Sequence, residues 1–147
     1  MDIEIDVTLP HPVDRVWAAA ADIADHVNWM ADAEKIRFLT DRRSGVGTRF
    51  ECLTAVGPLH TTDLMEITRW EEERLIGVRH RGLVTGEGVF VLEPLGRHTT
   101  RFRWHETLSL PWWYGGPAGE LVARPVLATV WRRNLRSFRT HLAHREG

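Results

Sequence analysis

The stretch LIGVRHRGLVTGEGVFVLEPLGRHTTRFRWHETLSL, residues 75–110, decides the fold. It holds three runs of two-residue period, 75–81, 87–95 and 100–110, separated by turns at Gly82 and at Gly96-Arg97-His98. Strands joined by turns this short must be antiparallel neighbours, because parallel pairing needs a crossover of about a dozen residues or more. The pattern extends upstream. Residues 60–70 form a long strand with a polar exit at Glu71-Glu72-Glu73-Arg74, and Gly57-Pro58 is a turn before it. Thr48, Phe50, Cys52 and Thr54 share one face of an earlier strand, and Ile36 and Phe38 open another that ends at Asp41-Arg42-Arg43-Ser44-Gly45.

Different periods flank this block. Ile3, Ile5, Val7 and Leu9 alternate with Asp2, Glu4, Asp6 and Thr8, which reads as a half-buried strand stopping at Pro10-His11-Pro12. Pro12 suits the first turn of a helix, where its missing N–H costs nothing. Val13, Val16, Trp17 and Ala20 then repeat at helical spacing, and residues 22–30 read as a second helical piece with Ile23, Val27 and Met30 apolar. At the other end, Pro111-Trp112-Trp113-Tyr114-Gly115-Gly116-Pro117 reads as a linker. Beyond it Leu121, Ala128, Trp131, Leu135, Phe138 and Leu142 fall on one helical stripe, and Pro125 predicts a kink or a late helix start. One long antiparallel sheet with one long helix to cover it must wrap around that helix. Such a sheet leaves a cavity.

Composition sets the outer bounds. A chain of 147 residues, 43% hydrophobic and 27% charged, is expected to be one globular domain, 1–147, with a core that needs no disulfide. Cys52 is the only cysteine, which excludes an internal disulfide and a multi-thiolate metal site within the chain. A net charge of -1 gives no general attraction to nucleic acid. The arginine face of the last helix, with Arg132, Arg133, Arg136 and Arg139, reads as solvated. The N-terminus is acidic and alternating, so no signal peptide is expected, and no run approaches the ~20 apolar residues of a membrane span. Cytoplasmic location is the default expectation. His141 and His144 stand three apart without an obvious third ligand, and Gly45-Val46-Gly47-Thr48 lacks the lysine of a phosphate loop. Neither a metal nor a cofactor is expected.

In this order the chain resembles the START / Bet v 1-like superfamily (SRPBCC), in particular its bacterial polyketide cyclase/dehydrase and lipid-transport branch. The resemblance rests on the opening strand running into Pro12-Val13-Asp14-Arg15-Val16-Trp17, on His26-Val27-Asn28-Trp29, on Gly45-Val46-Gly47-Thr48-Arg49-Phe50 and on Thr99-Thr100-Arg101-Phe102-Arg103-Trp104. It covers essentially the whole chain. It implies an α+β helix-grip fold: a seven-stranded antiparallel sheet curled around a long C-terminal helix, with two short helices after the first strand. It does not fix an activity, because the superfamily hosts cyclases, lipid carriers and hormone receptors alike.

Alternation then assigns the faces. Phe102, Trp104, Glu106 and Leu108 share one side of the last strand, and the aromatic side must face inward, so Glu106 goes with it. Phe90 and Leu92 face in by the same argument, with Gly86 and Gly88 leaving space. Ile76, Val78 and His80 form another inward row. Thr61, Asp63, Met65 and Ile67 form a third, and Phe50 and Cys52 complete the wall. The expected site is an apolar, aromatic cavity carrying Asp63, His80 and Glu106 as its polar groups. Those three are the candidate catalytic residues, since a buried carboxyl beside a histidine can exchange protons near neutral pH. The reading that leads from sequence alone is plainer: they only satisfy backbone atoms, pair with arginines or sit at the wet mouth. Phe50, Cys52, Met65, Ile67, Val78, Phe90, Phe102, Trp104, Trp112, Trp113 and Trp131 are the candidate ligand contacts, although Trp131 reads first as core. Trp112, Trp113 and Tyr114 could form a lid, a wedge into a membrane, or a plug on the helix end.

The expected function is binding of a hydrophobic small molecule: a lipid, polyketide or aromatic metabolite. The alternative is a cofactor-free polyketide aromatase/cyclase, for which pocket tyrosines and arginines are expected. Here the only tyrosine, Tyr114, is in the linker, and Arg69 and Arg79 face outward by alternation. The oligomeric state, monomer or homodimer, is left open.

Overall fold

The computed structural model describes residues 1–82 and 84–145. Strand β1 (Asp2–Leu9) leads into helix α1 (Val13–Ala20) and a 3-10 helix (Ile23–Asn28). Then come β2 (Ala33–Phe38), β3 (Arg49–Val56), β4 (Leu59–Glu71), β5 (Leu75–Arg81), β6 (Thr85–Gly96) and β7 (Thr99–Ser109). A short 3-10 turn (Trp112–Tyr114) precedes helix α2 (Gly116–Arg145). The strands form one sheet in the order β1-β7-β6-β5-β4-β3-β2, antiparallel at every pairing. This is the α+β helix-grip architecture, with the sheet curled around α2 and α1 and the 3-10 helix following β1.

Period-two patterning places the inward rows as alternation requires. Along β7, Thr100, Phe102, Trp104, Glu106 and Leu108 are buried while the residues between them are more exposed. Phe90 lies opposite both Trp104 and Ile76, and Met65 opposite both Phe50 and His80. The row on β4 survives a register shift between Ile67 and Arg69. A bulge of this kind lets Trp70 turn inward, edge-on to Trp17 at 5.2 Å, while Arg69 stays outside and reaches Glu71.

Three expectations need correction. The linker is shorter than its composition suggests. Gly115 takes a left-handed φ of 93°, and its carbonyl accepts the N–H groups of Ala118 and Gly119, so α2 starts at Gly116 rather than late at Pro125. Pro125 lies within the helix, and the bond it cannot donate falls on the solvent side, where Leu121 and Pro125 are exposed. Leu121 therefore does not belong to the buried stripe, which is formed by Ala128, Trp131, Leu135, Phe138 and Leu142. The second helical piece is a 3-10 helix, with three residues per turn. Its buried face is Ile23, His26 and Trp29, not Ile23, Val27 and Met30.

The core is unevenly distributed. Phe138 meets Trp29 at 4.8 Å and Phe102 at 5.2 Å, both edge-on, so the C-terminal half of α2 packs directly on sheet and 3-10 helix. The N-terminal half stands off the sheet. That is where the hole is.

Candidate functional site

Between the sheet and the N-terminal half of α2 lies a cavity of about 460 Å³, within the range usual for small-molecule sites. From α2 its wall takes Gly119, Val122, Ala123, Val126, Leu127 and Trp131, spaced three and four apart on one helical face. Leu59, Tyr114, Val122 and Val126 line it and are also exposed, so they mark the mouth. At the inner end Trp131 stacks on Trp104, with ring centroids 5.2 Å apart and planes 20° off parallel. This aromatic pair separates the void from the packed core.

The polar groups expected from the sequence meet there. Asp63, His80 and Glu106 all line the cavity. Glu106 Oε1 accepts the indole N–H of Trp104 at 2.8 Å. Its other oxygen, Oε2, lies 2.9 Å from His80 Nε2, but off the line of the ring N–H, so neither atom completes a hydrogen bond. Two glycines make room for the carboxylates. A Cβ on Gly88 would overlap the Glu106 carboxylate, and one on Gly82 would overlap that of Asp63. Burial works to lower the His80 pKa, but the Glu106 carboxylate beside it and the charge of Asp63 outweigh this and raise it. Burial raises that of Asp63, against the Thr61 hydroxyl at 3.3 Å and the charge of His80.

Of the apolar candidates, Phe50, Cys52, Met65, Val78, Phe90, Trp104 and Trp131 line the cavity. Ile67 and Phe102 do not; both are fully buried in the packed half. Trp112 and Trp113 do not line it either. They are 84% and 66% exposed, which also removes the plug reading, whereas Tyr114 next to them lines the mouth. Trp112, Trp113 and Tyr114 form one 3-10 turn, whose consecutive side chains point in different directions. Cys52 is held as an inert thiol, its pKa pushed up to about 11 by burial.

Two wall residues escaped the sequence. Asp32 accepts the Asn134 amide N–H at 2.7 Å and the Trp131 indole N–H at 3.3 Å, and Asn134 Oδ1 in turn accepts the Ala31 N–H. His26 Nε2 lies 2.8 Å from the Ala20 carbonyl, which can only accept, so this nitrogen carries the proton. Burial holds the His26 pKa below the usual imidazole range. Asp32 gave no signal because its partners are about a hundred positions away; His26 would have been found by testing a period of three.

Family comparison fits this arrangement. The family model for polyketide cyclase / dehydrase and lipid transport matches residues 1–145. The chain belongs to this family. A protein from Thermus thermophilus superposes with a TM-score of 0.85 at 18% identity, covering 100% of both chains. A START superfamily protein from Mycobacterium smegmatis gives 0.82 at 11% identity, covering 97% of each chain. The Zhui aromatase/cyclase from Streptomyces sp. R1128 gives 0.74 at 20% identity, covering 100% of this chain and 96% of that one. At these identities the likeness is one of fold. No curated protein matches the sequence.

Other features of this family member lie outside the cavity. Arg69 and Arg79 face outward, toward Glu71 and Glu87. His141 Nε2 sits 2.6 Å from Asp25 Oδ2, and His144 Nδ1 donates to the Thr140 carbonyl, so the two histidines serve different partners. Among the described residues no group of three or more His, Cys, Asp or Glu converges as a metal site, and no helix is long and apolar enough to cross a membrane.

Proposed function

We propose that this protein binds a hydrophobic small molecule, such as a lipid, polyketide or aromatic metabolite, in the cavity between sheet and α2. The observation that carries the reading is the cavity itself: about 460 Å³, walled by aliphatic and aromatic side chains, with a small set of polar groups on one side. Burying an apolar ligand against such a wall supplies about 25 cal/mol per Å² removed from water, and the polar groups orient it. Native mass spectrometry of the purified protein, with organic extraction of what travels with it, tests the proposal. A ligand at near one-to-one ratio supports it. A clean apo mass, with no thermal shift against lipids and aromatic polyketides, removes it.

A second reading is favoured by one specific contact, the His80–Glu106 pair inside the cavity. In a cofactor-free aromatase/cyclase, such a pair would take a proton from the methylene between two carbonyls of a poly-β-ketone. The enolate carbon would attack a second carbonyl, forming the ring C–C bond, and the alkoxide would take back the proton held by the pair. The pair would then remove the remaining proton of the same methylene and deliver it to the hydroxyl, which leaves as water as the ring C=C bond forms. Tyr114 at the mouth is the one tyrosine on hand, and no arginine lines the cavity among the described residues. A poly-β-ketone thioester analogue should give a cyclised, dehydrated product with the protein and lose it in His80→Ala. The same products with and without protein would end this reading.

A further inference from the structure

We infer that the cavity selects a neutral ligand carrying a hydroxyl, an alcohol or phenol, and discriminates against the matching carboxylate. This rests on the reading that the cavity binds a small molecule. The first observation is which charges line it. Asp32, Asp63 and Glu106 are all on the wall, and none of the described lining residues is an arginine or lysine. A bound carboxylate or phosphate would enter a low-dielectric space next to like charges, with no arginine or lysine to offset its desolvation and with the His80 ring already beside the Glu106 carboxylate.

The second observation is the unfinished contact at the polar side. Glu106 is 3% exposed and faces the cavity, with Oε1 occupied by the Trp104 indole. Oε2 has no hydrogen-bond partner, and neither has His80 Nε2, although the two atoms are only 2.9 Å apart. A buried polar group without a hydrogen bond is costly, so a ligand that completes both atoms gains from each. A hydroxyl is the simplest group that donates and accepts together. It can donate to Glu106 Oε2 and accept from the His80 ring N–H. A carboxylate only accepts, so it leaves Glu106 unpaired and faces its charge. An ammonium only donates, and must compete with His80 for the same oxygen.

The test is a series of probes with one ring system and different head groups: pyrene, 1-pyrenemethanol, 1-pyrenecarboxylate and 1-pyrenemethylammonium. Each is titrated into the protein at pH 7.5 by calorimetry. The expected result is that pyrenemethanol binds most tightly and the carboxylate tenfold or more weakly. Equal binding of alcohol and acid, or tightest binding by the ammonium, overturns the selection while leaving hydrophobic binding in place. Failure of all four, pyrene included, overturns the hydrophobic-binding reading and this inference with it. In Glu106→Gln the alcohol-to-acid ratio should fall several-fold, and an unchanged ratio in a folded variant removes Glu106 as the determinant. Should that variant not fold, Asp63→Asn, which removes another wall charge, should shift the same ratio in the same direction; an unchanged ratio there counts against the charge argument.

Discussion

Placing a methyl group on Gly88 tests whether Glu106 is held where the structure has it. Gly88 lies on β6 directly opposite Glu106 on β7, and opposite Val78 on β5. Its φ is not left-handed, so alanine meets no backbone penalty there. Its absent Cβ is the space the carboxylate fills. Gly88→Ala should therefore push the carboxylate out of its place between Trp104 and His80. The loss is a hydrogen bond from the Trp104 indole to a charged acceptor, about 1.5–3 kcal/mol. The gain is the lower chain entropy of alanine in the unfolded state, about 0.4–1 kcal/mol. The net is a destabilisation of about 0.5–2.5 kcal/mol, or a fall in Tm of about 1–10 °C for a domain of this size. Thermal melts followed by far-UV circular dichroism read it, and a double-mutant cycle isolates it. In a Glu106→Ala background the same Gly88→Ala change should be neutral or mildly stabilising, giving a coupling of about 1.5–3 kcal/mol. A coupling below about 0.5 kcal/mol would refute the reasoning, because the methyl and the carboxylate would then not compete for one volume.

Three further outcomes follow from the same wall. The His80 pKa is raised, so its contribution to stability is complete below the ordinary value near 6.5 and is lost as pH rises through the higher folded value. Its ring should titrate above 6.5 by NMR, and at a lower pH in Glu106→Gln; an unchanged titration in that variant would mean that Glu106 is not the cause. Asp63 also has a raised pKa, so its stabilisation is present below pH 3.8 and lost as pH rises through the folded value. Asp63→Asn should accordingly raise Tm at pH 7.5 and make little difference at pH 3.5, and a lower Tm at pH 7.5 would contradict this. Asp32→Ala strands the fully buried Asn134 amide, at a cost of about 1–3 kcal/mol. Tm should fall by about 2–10 °C, and melting within 1 °C of the parent would show that water takes over the bond.

The fold was legible because it follows from which period is in force, and residues 75–110 leave no doubt about theirs. The inward face was legible for the same reason: a period of two assigns Glu106 and His80 to the cavity side without knowledge of the rest of the chain. Position along the strand was not. Phe102 and Trp104 alternate identically, yet Phe102 is buried against Phe138 and Trp104 borders the void, because that depends on where α2 leaves the sheet. Local misreadings came from assuming the wrong helix type, as at His26, or from polar residues whose partners are remote, as at Asp32. The tryptophan turn misled differently. Its aromatic content drew Trp112 and Trp113 toward the site, and only Tyr114 reaches it.

An apolar void of this size would close if α2 could settle onto the sheet, since each side chain brought together would gain burial. The helix is held from doing so at three places. Near its start, Glu120 Oε1 accepts the Leu110 N–H while Oε2 lies 3.7 Å from the N-terminal amine. Midway, Asn134 and Trp131 both donate to Asp32, and Trp131 rests face-on against Trp104, which sets a minimum separation just where the void begins. At the far end, His141 and Arg145 pair with Asp25, and the Arg145 guanidinium stands near the helix C-terminus, where the dipole favours a cation. Settling the helix would break these contacts and leave Asn134 without a partner. The polar residues on the wall thus have two roles. Asp32 serves the architecture, because both its oxygens are occupied by α2. Glu106 keeps one oxygen uncommitted. The chemistry of the site is concentrated where the structure leaves a bond unmade.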